Sequence, residues 1–263
     1  MRRVTAALGL VSLATLAIWF SLDSPIDAPD WTGKARGFAY NPSAIYTWEH
    51  TDTVDVDHVR RDLKELARVA TRVRTYSVSQ GLDQVAAVAG ELGLKATPGA
   101  WLNADREHTA REIEKLLDVV RKNPKAVDRV FVGNEVVFRQ ELTAHQLAYY
   151  VLYVKARVPK GVLVSTAETY LSWVQNPELV DAVDVVAAHL LPFWEGVPAE
   201  EALDAVKVQM TDLRKISMGK PVIIAEVGWP SEGRRFKEAI ADGPNAAAFL
   251  RRFFVEAKKN KWD

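Results

Sequence analysis

The chain has 263 residues, with 34 Lys plus Arg against 34 Asp plus Glu, 48% apolar residues and no cysteine. These values exclude an intrinsically disordered chain, a disulfide-stapled fold and a Cys-ligated zinc site. Charge neutrality also argues against nucleic acid as a partner, since phosphate binding needs a basic surface. The 8 Trp fit core packing and stacking on the C–H faces of sugars equally well.

Arg2 and Arg3 precede an uncharged run from Val4 to Leu22. As a helix at about 1.5 Å per residue this run spans about 28 Å, roughly one hydrocarbon core. Residues 1–22 therefore read as a membrane anchor, with a cleaved signal peptide as the rival. The exit through Ser21-Leu22-Asp23-Ser24-Pro25 lacks an A-x-A-like cleavage site, which favours the anchor. The basic end stays cytoplasmic, so the rest is expected outside: in the periplasm if anchored, secreted if cleaved. Residues 23–36, with Pro25, Pro29 and Gly33, read as a linker, and 37–263 as one domain.

That domain alternates between two periodicities. A short strand is expected at Gly37–Tyr40, then a helix at Asp57–Val69 with Val59, Leu63, Leu66 and Ala67 on one face. Strand Arg72–Tyr76, the Ala-rich helical stretch Leu82–Leu92 and strand Lys95–Leu102 follow. Helix Arg106–Lys122 stops at Asn123-Pro124, and Val127–Val136 is a strongly apolar strand. Next come helix Thr143–Val158 with Thr143 as its cap, strand Val162–Thr166, helix Asn176–Ala182 and strand Val183–Leu190. Helix Pro198–Ser217, strand Pro221–Val227 and helix Asn245–Lys259 complete the series. Seven strand–helix units with short connections imply an α/β fold of parallel strands covered by helices. Length, and the absence of a G-x-G-x-x-G turn, favour a (β/α)8 TIM-barrel type over an open doubly wound sheet. The expected eighth strand is missing before Asp263, so the domain reads as a C-terminally incomplete barrel with open edges.

In a parallel barrel, chemistry sits at the C-terminal ends of the strands. Glu135 directly follows the apolar run Val130-Phe131-Val132, and Glu226 interrupts Val222-Ile223-Ile224-Ala225. A carboxylate among such neighbours is costly unless it is paired or functional. Arg74 and Arg139 are available as purely structural partners. Two such Glu at the ends of the fourth and seventh strands instead suggest one cavity flanked by two carboxylates, the parts needed to break a glycosidic bond. Glu168 follows a strand and reads as a third acid on the same rim, in a subsite or a solvated loop. No nucleophilic Ser motif or H-E-x-x-H pattern occurs, so neither a metal nor another cofactor is expected.

Val132-Gly133-Asn134-Glu135-Val136 and Ile224-Ala225-Glu226-Val227-Gly228-Trp229-Pro230-Ser231 resemble the two catalytic motifs of family 17 glycoside hydrolases, the β-1,3-glucanase family. Gly37-Phe38-Ala39-Tyr40-Asn41-Pro42, Arg74-Thr75-Tyr76 and Ala188-His189-Leu190-Leu191-Pro192-Phe193-Trp194 are similar to its bacterial branch, which is associated with membrane glycosyltransferases that make β-glucans. The resemblance implies a β-glucan substrate and a retaining double displacement, with Glu226 as nucleophile and a protonated Glu135 as general acid/base. It implies that Asn134 meets the sugar 2-OH, and that Tyr40, Tyr76 and His189 are substrate-binding positions. It also implies that Trp101, Trp194 and Trp229 floor sugar subsites. A transglycosylase using the same covalent intermediate, or a glucan-binding module without turnover, remains the alternative.

Overall fold

The computed structural model describes residues 9, 11–19, 27–42 and 53–263. Of the expected anchor and linker, residues 1–8, 10 and 20–26 lie outside the described residues. Residues 11–19 are helical, and no helix among the described residues is long and apolar enough to cross a membrane.

The strands are β1 Phe38–Ala39, β2 Arg72–Arg74, β3 Lys95–Thr97, β4 Gly99–Ala100, β5 Arg129–Asn134, β6 Leu163–Thr169, β7 Val186–Leu190 and β8 Val222–Val227. All pair in parallel, in the orders β1-β2-β3 and β4-β5-β6-β7-β8. β3 and β4 are one extended stave broken at Pro98, which has no N–H to give to a ladder. The Pro98 carbonyl still accepts from Phe131 N at 3.1 Å, so this stave joins the two sheets. Gly99 belongs there because a Cβ would meet the Thr75 carbonyl at 2.6 Å. Counting that stave once, the described residues supply the seven strands read from the sequence.

Helices α1 Val56–Val69, α2 Val85–Glu91, α3 Arg106–Lys122, α4 Ala144–Lys155, α8 Ala202–Ile216 and α9 Gly243–Asn260 cover the outside. Their starts follow local chemistry. Asp55 caps α1 by accepting from His58 N, Asp105 caps α3, and Thr143 and Gln146 form a capping box on α4. Leu116, Leu117 and Val120 of α3 and Leu147, Val151 and Val154 of α4 turn inward and are buried. Each fully buried aliphatic side chain of this size contributes about 1.5–3 kcal/mol. Short helices α5 Tyr170–Gln175 and α7 Pro192–Glu195 occupy stretches where the sequence suggests only loops, and α6 Glu178–Ala182 lies between them. One helical turn is too short to show periodicity; Thr169 starts α5 by accepting from Ser172 N.

Among the described residues the ring is not closed. β1 and β8 are the outer members of their sheets, and the Ile224 N–H instead meets the Asp263 carbonyl at 2.7 Å. A cavity of about 470 Å³ lies between these edges, lined by Trp31, Phe38, Ile224, Glu226, Phe253 and Trp262. The described part of the expected linker is fastened to the barrel. Trp31 stacks on Phe254 of α9 with ring centroids 5.5 Å apart, and Lys34 Nζ donates to the Ala67 carbonyl at 2.6 Å.

Candidate active site

Two strand irregularities set the site. Along β5 and β6, Phe131 pairs with Ser165 but Asn134 with Ala167, so β5 holds one extra residue just before Glu135. Along β7 and β8, Ala188 pairs with Ile224 but His189 with Glu226, so Ala225 is the extra residue just before Glu226. A bulge of this kind re-aims the side chain that follows it. In β5 the bend needs Gly133, at φ +93°, where an added Cβ would run into the Val136 side chain. Glu135 follows in the left-handed region, at φ +52°. This conformation is uncommon for a residue with a Cβ and persists where the surroundings impose it.

Arg74 sits at the centre, at the end of β2. Arg72 and Arg74 alternate onto one face of β2 but serve different levels of the barrel. Arg72 is taken up bidentately by Asp128, at 2.6 and 3.1 Å. Arg74 donates to Glu226 Oε1 at 3.0 Å, the Ala225 carbonyl at 2.9 Å and Asn134 Oδ1 at 2.6 Å. It also lies 3.3 Å from His189 Nε2. Because arginine can only donate, His189 Nε2 accepts, and the ring proton falls on Nδ1. Nδ1 donates to Glu135 Oε1 at 2.7 Å, and Nε2 lies 3.4 Å from Glu226 Oε1. The two carboxylates therefore meet opposite nitrogens of one imidazole.

Glu135, Glu226, Asn134, Tyr76 and His189 thus gather around Arg74, whose guanidinium also lies over the Tyr76 ring. Burial, followed by the charge of Glu226, pushes the Tyr76 hydroxyl well up, so it remains a neutral donor. Burial also raises the Glu135 carboxyl. The hydrogen bond that His189 donates, with the charges of Arg139 and Arg74, outweighs this and holds it below the ordinary carboxylate value. This shift runs opposite to the sequence-based expectation of a protonated Glu135. The cause is the N–H that His189 aims at it.

The aromatic positions separate. Trp194 of α7 is 64% exposed and forms an edge contact with Phe236, giving an open aromatic surface. Trp101 has Arg139 stacked over its ring at 4.2 Å. Trp229 does not match the expected sugar floor. It is buried against Phe193 and Phe249, and its indole N–H is donated to the Ile240 carbonyl. Tyr40 donates its hydroxyl to Asp62 of α1 at 2.8 Å. The central place of Arg74 was not read from the sequence. The signal was an Arg in register with a buried Val between two apolar strands. Among the described residues no group of His, Cys, Asp and Glu is arranged to hold a metal ion.

Glu168 differs most from its sequence reading. It is neither solvated nor part of an open subsite, but fully buried at the end of β6. Its carboxylate accepts from Val137 N at 3.2 Å and Phe138 N at 3.5 Å. Burial raises its pKa from 4.5 to about 7, against the opposing effect of these backbone bonds and with a smaller upward push from Glu135. Between those values the folded protein holds a proton that the unfolded chain has lost. This contribution to stability is complete below about pH 4.5 and is lost as pH rises through about 7. The expected loss is about 3 kcal/mol. Denaturant unfolding at pH 5 and pH 8 measures it: Glu168→Gln should flatten this part of the profile, and an unaltered slope would contradict the assignment.

The chain matches the BtgE/BtgC glycoside hydrolase domain over residues 37–262. It is 29% identical over 200 residues to a probable glucan endo-1,3-beta-glucosidase, btgC, of Aspergillus clavatus, covering 67% of this chain and 28% of that protein. It is 26% identical to a glucan 1,3-beta-glucosidase of Candida albicans, covering 73% of this chain and 69% of the relative. Among solved structures, the family 17 beta-1,3-glucanosyltransferase of Rhizomucor miehei superposes with a TM-score of 0.78 at 28% identity, covering 87% of this chain and 84% of that one. An active-site mutant of that enzyme in complex with laminaritriose superposes equally well. A Bacteroides uniformis beta-glucuronidase, at 16% identity and a TM-score of 0.64, shares the fold.

Proposed function

The chain belongs to the BtgE/BtgC glycoside hydrolase domain family, and on that premise we propose that it cleaves β-1,3-glucan by a retaining double displacement. The observation that carries this reading is the pair Glu135 and Glu226, at the ends of the fourth and seventh staves, each against one ring nitrogen of His189. Glu226, held by Arg74, attacks the anomeric carbon, while Glu135 gives its proton to the departing glycosidic oxygen. A seated sugar displaces water and strengthens the burial effect that already raises Glu135, which favours its acid form in the complex. Once Glu226 is esterified its charge is gone, and the His189 and Arg74 contacts that lower Glu135 suit its second role as base. Asn134 turns its oxygen to Arg74, leaving its amide N–H groups to donate to the sugar 2-OH.

Transglycosylation is the second reading, favoured by the high structural similarity to a glucanosyltransferase. Both readings share the glycosyl-enzyme and differ in whether water or a sugar hydroxyl captures it. Incubation with a laminari-oligosaccharide, followed by chromatography and NMR, is the test. The first product should carry the β configuration, and an α product would refute the double displacement. Shorter products alone indicate hydrolysis; products longer than the donor indicate glucan transfer.

The proposal places the domain outside the cytoplasm on an uncleaved N-terminal anchor, in the service of membrane β-glucan synthesis. Its support is the basic Arg2-Arg3 start and the uncharged run to Leu22. In the helical residues 11–19, Val11, Leu13, Leu16, Ile18 and Trp19 are exposed.

A further inference from the structure

We propose that Glu168 is a positioning residue for Glu135, clamping the strained turn that aims the acid/base carboxylate into the cleft. This inference rests on the role given to Glu135 above. Three backbone groups around Glu135 are held by two consecutive residues of β6. The Glu135 N–H donates to the Ala167 carbonyl at 2.7 Å. The next residue, Glu168, takes the N–H groups of Val137 and Phe138 on its two oxygens. Glu135 therefore sits between fixed points while its own backbone stays in the left-handed region. A turn in that conformation relaxes unless its neighbours hold it.

The chemistry of Glu168 fits this purpose better than a packing role. It is fully buried, and a carboxylate there is unfavourable unless its oxygens are occupied. The two N–H groups meet two separate oxygens, whereas a carboxamide keeps one oxygen and turns an NH2 toward the other donor. Arg139 on the same turn completes the frame, donating to the Asn134 carbonyl at 3.1 Å and the Leu102 carbonyl at 2.8 Å. Glu168 touches no reacting atom in this scheme. It acts through where Glu135 points, and a displacement of about 1 Å at such a group can cost about 10²-fold in rate.

The test uses Glu168→Gln and two donors. Cleavage of a laminari-oligosaccharide needs the proton from Glu135. An aryl laminaribioside with a dinitrophenolate leaving group does not, because that group departs without protonation. The expected result is a fall in kcat/KM of about tenfold or more on the oligosaccharide and less than about twofold on the aryl donor. Equal losses on both would overturn the proposal, since a general structural defect strikes both alike. Amide hydrogen exchange read at Val137 and Phe138 needs no turnover. It should accelerate in Glu168→Gln, and unchanged exchange would also overturn the clamp. If the Gln variant does not fold, Glu168→Asp keeps the carboxyl group on a shorter side chain and should show the same selective loss and faster exchange. A wild-type protein inert on both donors would refute the enzymatic reading, while the exchange result would still decide on the clamp.

Discussion

Replacing Glu226 with Ala is expected to abolish turnover, and replacing Glu135 with Ala to slow it by about 10²–10⁴-fold, the usual contribution of a general acid/base. Azide separates the roles. With Glu135→Ala the glycosyl-enzyme still forms slowly, and azide can attack it without base assistance, giving a retained glycosyl azide. With Glu226→Ala there is no covalent intermediate to intercept, so azide should restore no retained product. The two carboxylates differ in their partners. Glu226 contacts the guanidinium of Arg74 directly, whereas Glu135 receives the N–H of His189. An inverted azide product from Glu135→Ala would show that the two roles are exchanged.

Arg74→Met should cost about 3–5 kcal/mol of stability together with most of the activity. Arg74 is buried and engages Glu226, Asn134, the Ala225 carbonyl and His189. Removing one partner of a buried charged pair leaves the other desolvated and unpaired, which is far more damaging than the pair is stabilising. Arg74→Lys separates charge from geometry. A lysine keeps the charge, but its single nitrogen cannot reproduce the fork that reaches Glu226 and Asn134 at once. It should recover part of the stability and little of the turnover. Equilibrium unfolding in denaturant, run beside the oligosaccharide assay, measures both; a loss under about 1 kcal/mol for Arg74→Met would mean that Arg74 does not organise the site.

Much of the barrel was legible because strand and helix periodicities alternate cleanly over Arg72–Val227. The helix start at Thr143 was read from its capping side chain, which is local chemistry; Asp55 and Asp105 cap their helices in the same way. Glu135 and Glu226 stood out because each breaks an apolar run. Trp229 shows the opposite case. Its place in Gly228-Trp229-Pro230-Ser231 suggested a sugar floor, yet the fold packs it against Phe193 and Phe249. An indole ring serves a core and a cleft equally well, and only its neighbours distinguish the two. Glu168 illustrates the same limit. A charged residue after a strand reads as solvated until the turn at 136–138 is seen to bring it backbone donors.

By itself the sequence determined the order of strands and helices, their approximate bounds and the two carboxylates that end the fourth and seventh staves. These are properties of neighbours along the chain, expressed as periodicity, capping and interrupted apolar runs. The tertiary structure alone decided how those carboxylates are aimed. One extra residue in β5 and another in β8 turn Glu135 and Glu226 toward His189, and a bulge exists only relative to a partner strand. It likewise decided that Arg74 meets a residue 152 positions away in the chain, and that Glu168 is buried beneath the Glu135 turn. Spacing along a strand sets which face a side chain takes. Which groups meet it there depends on strands that become neighbours only when the sheet curls.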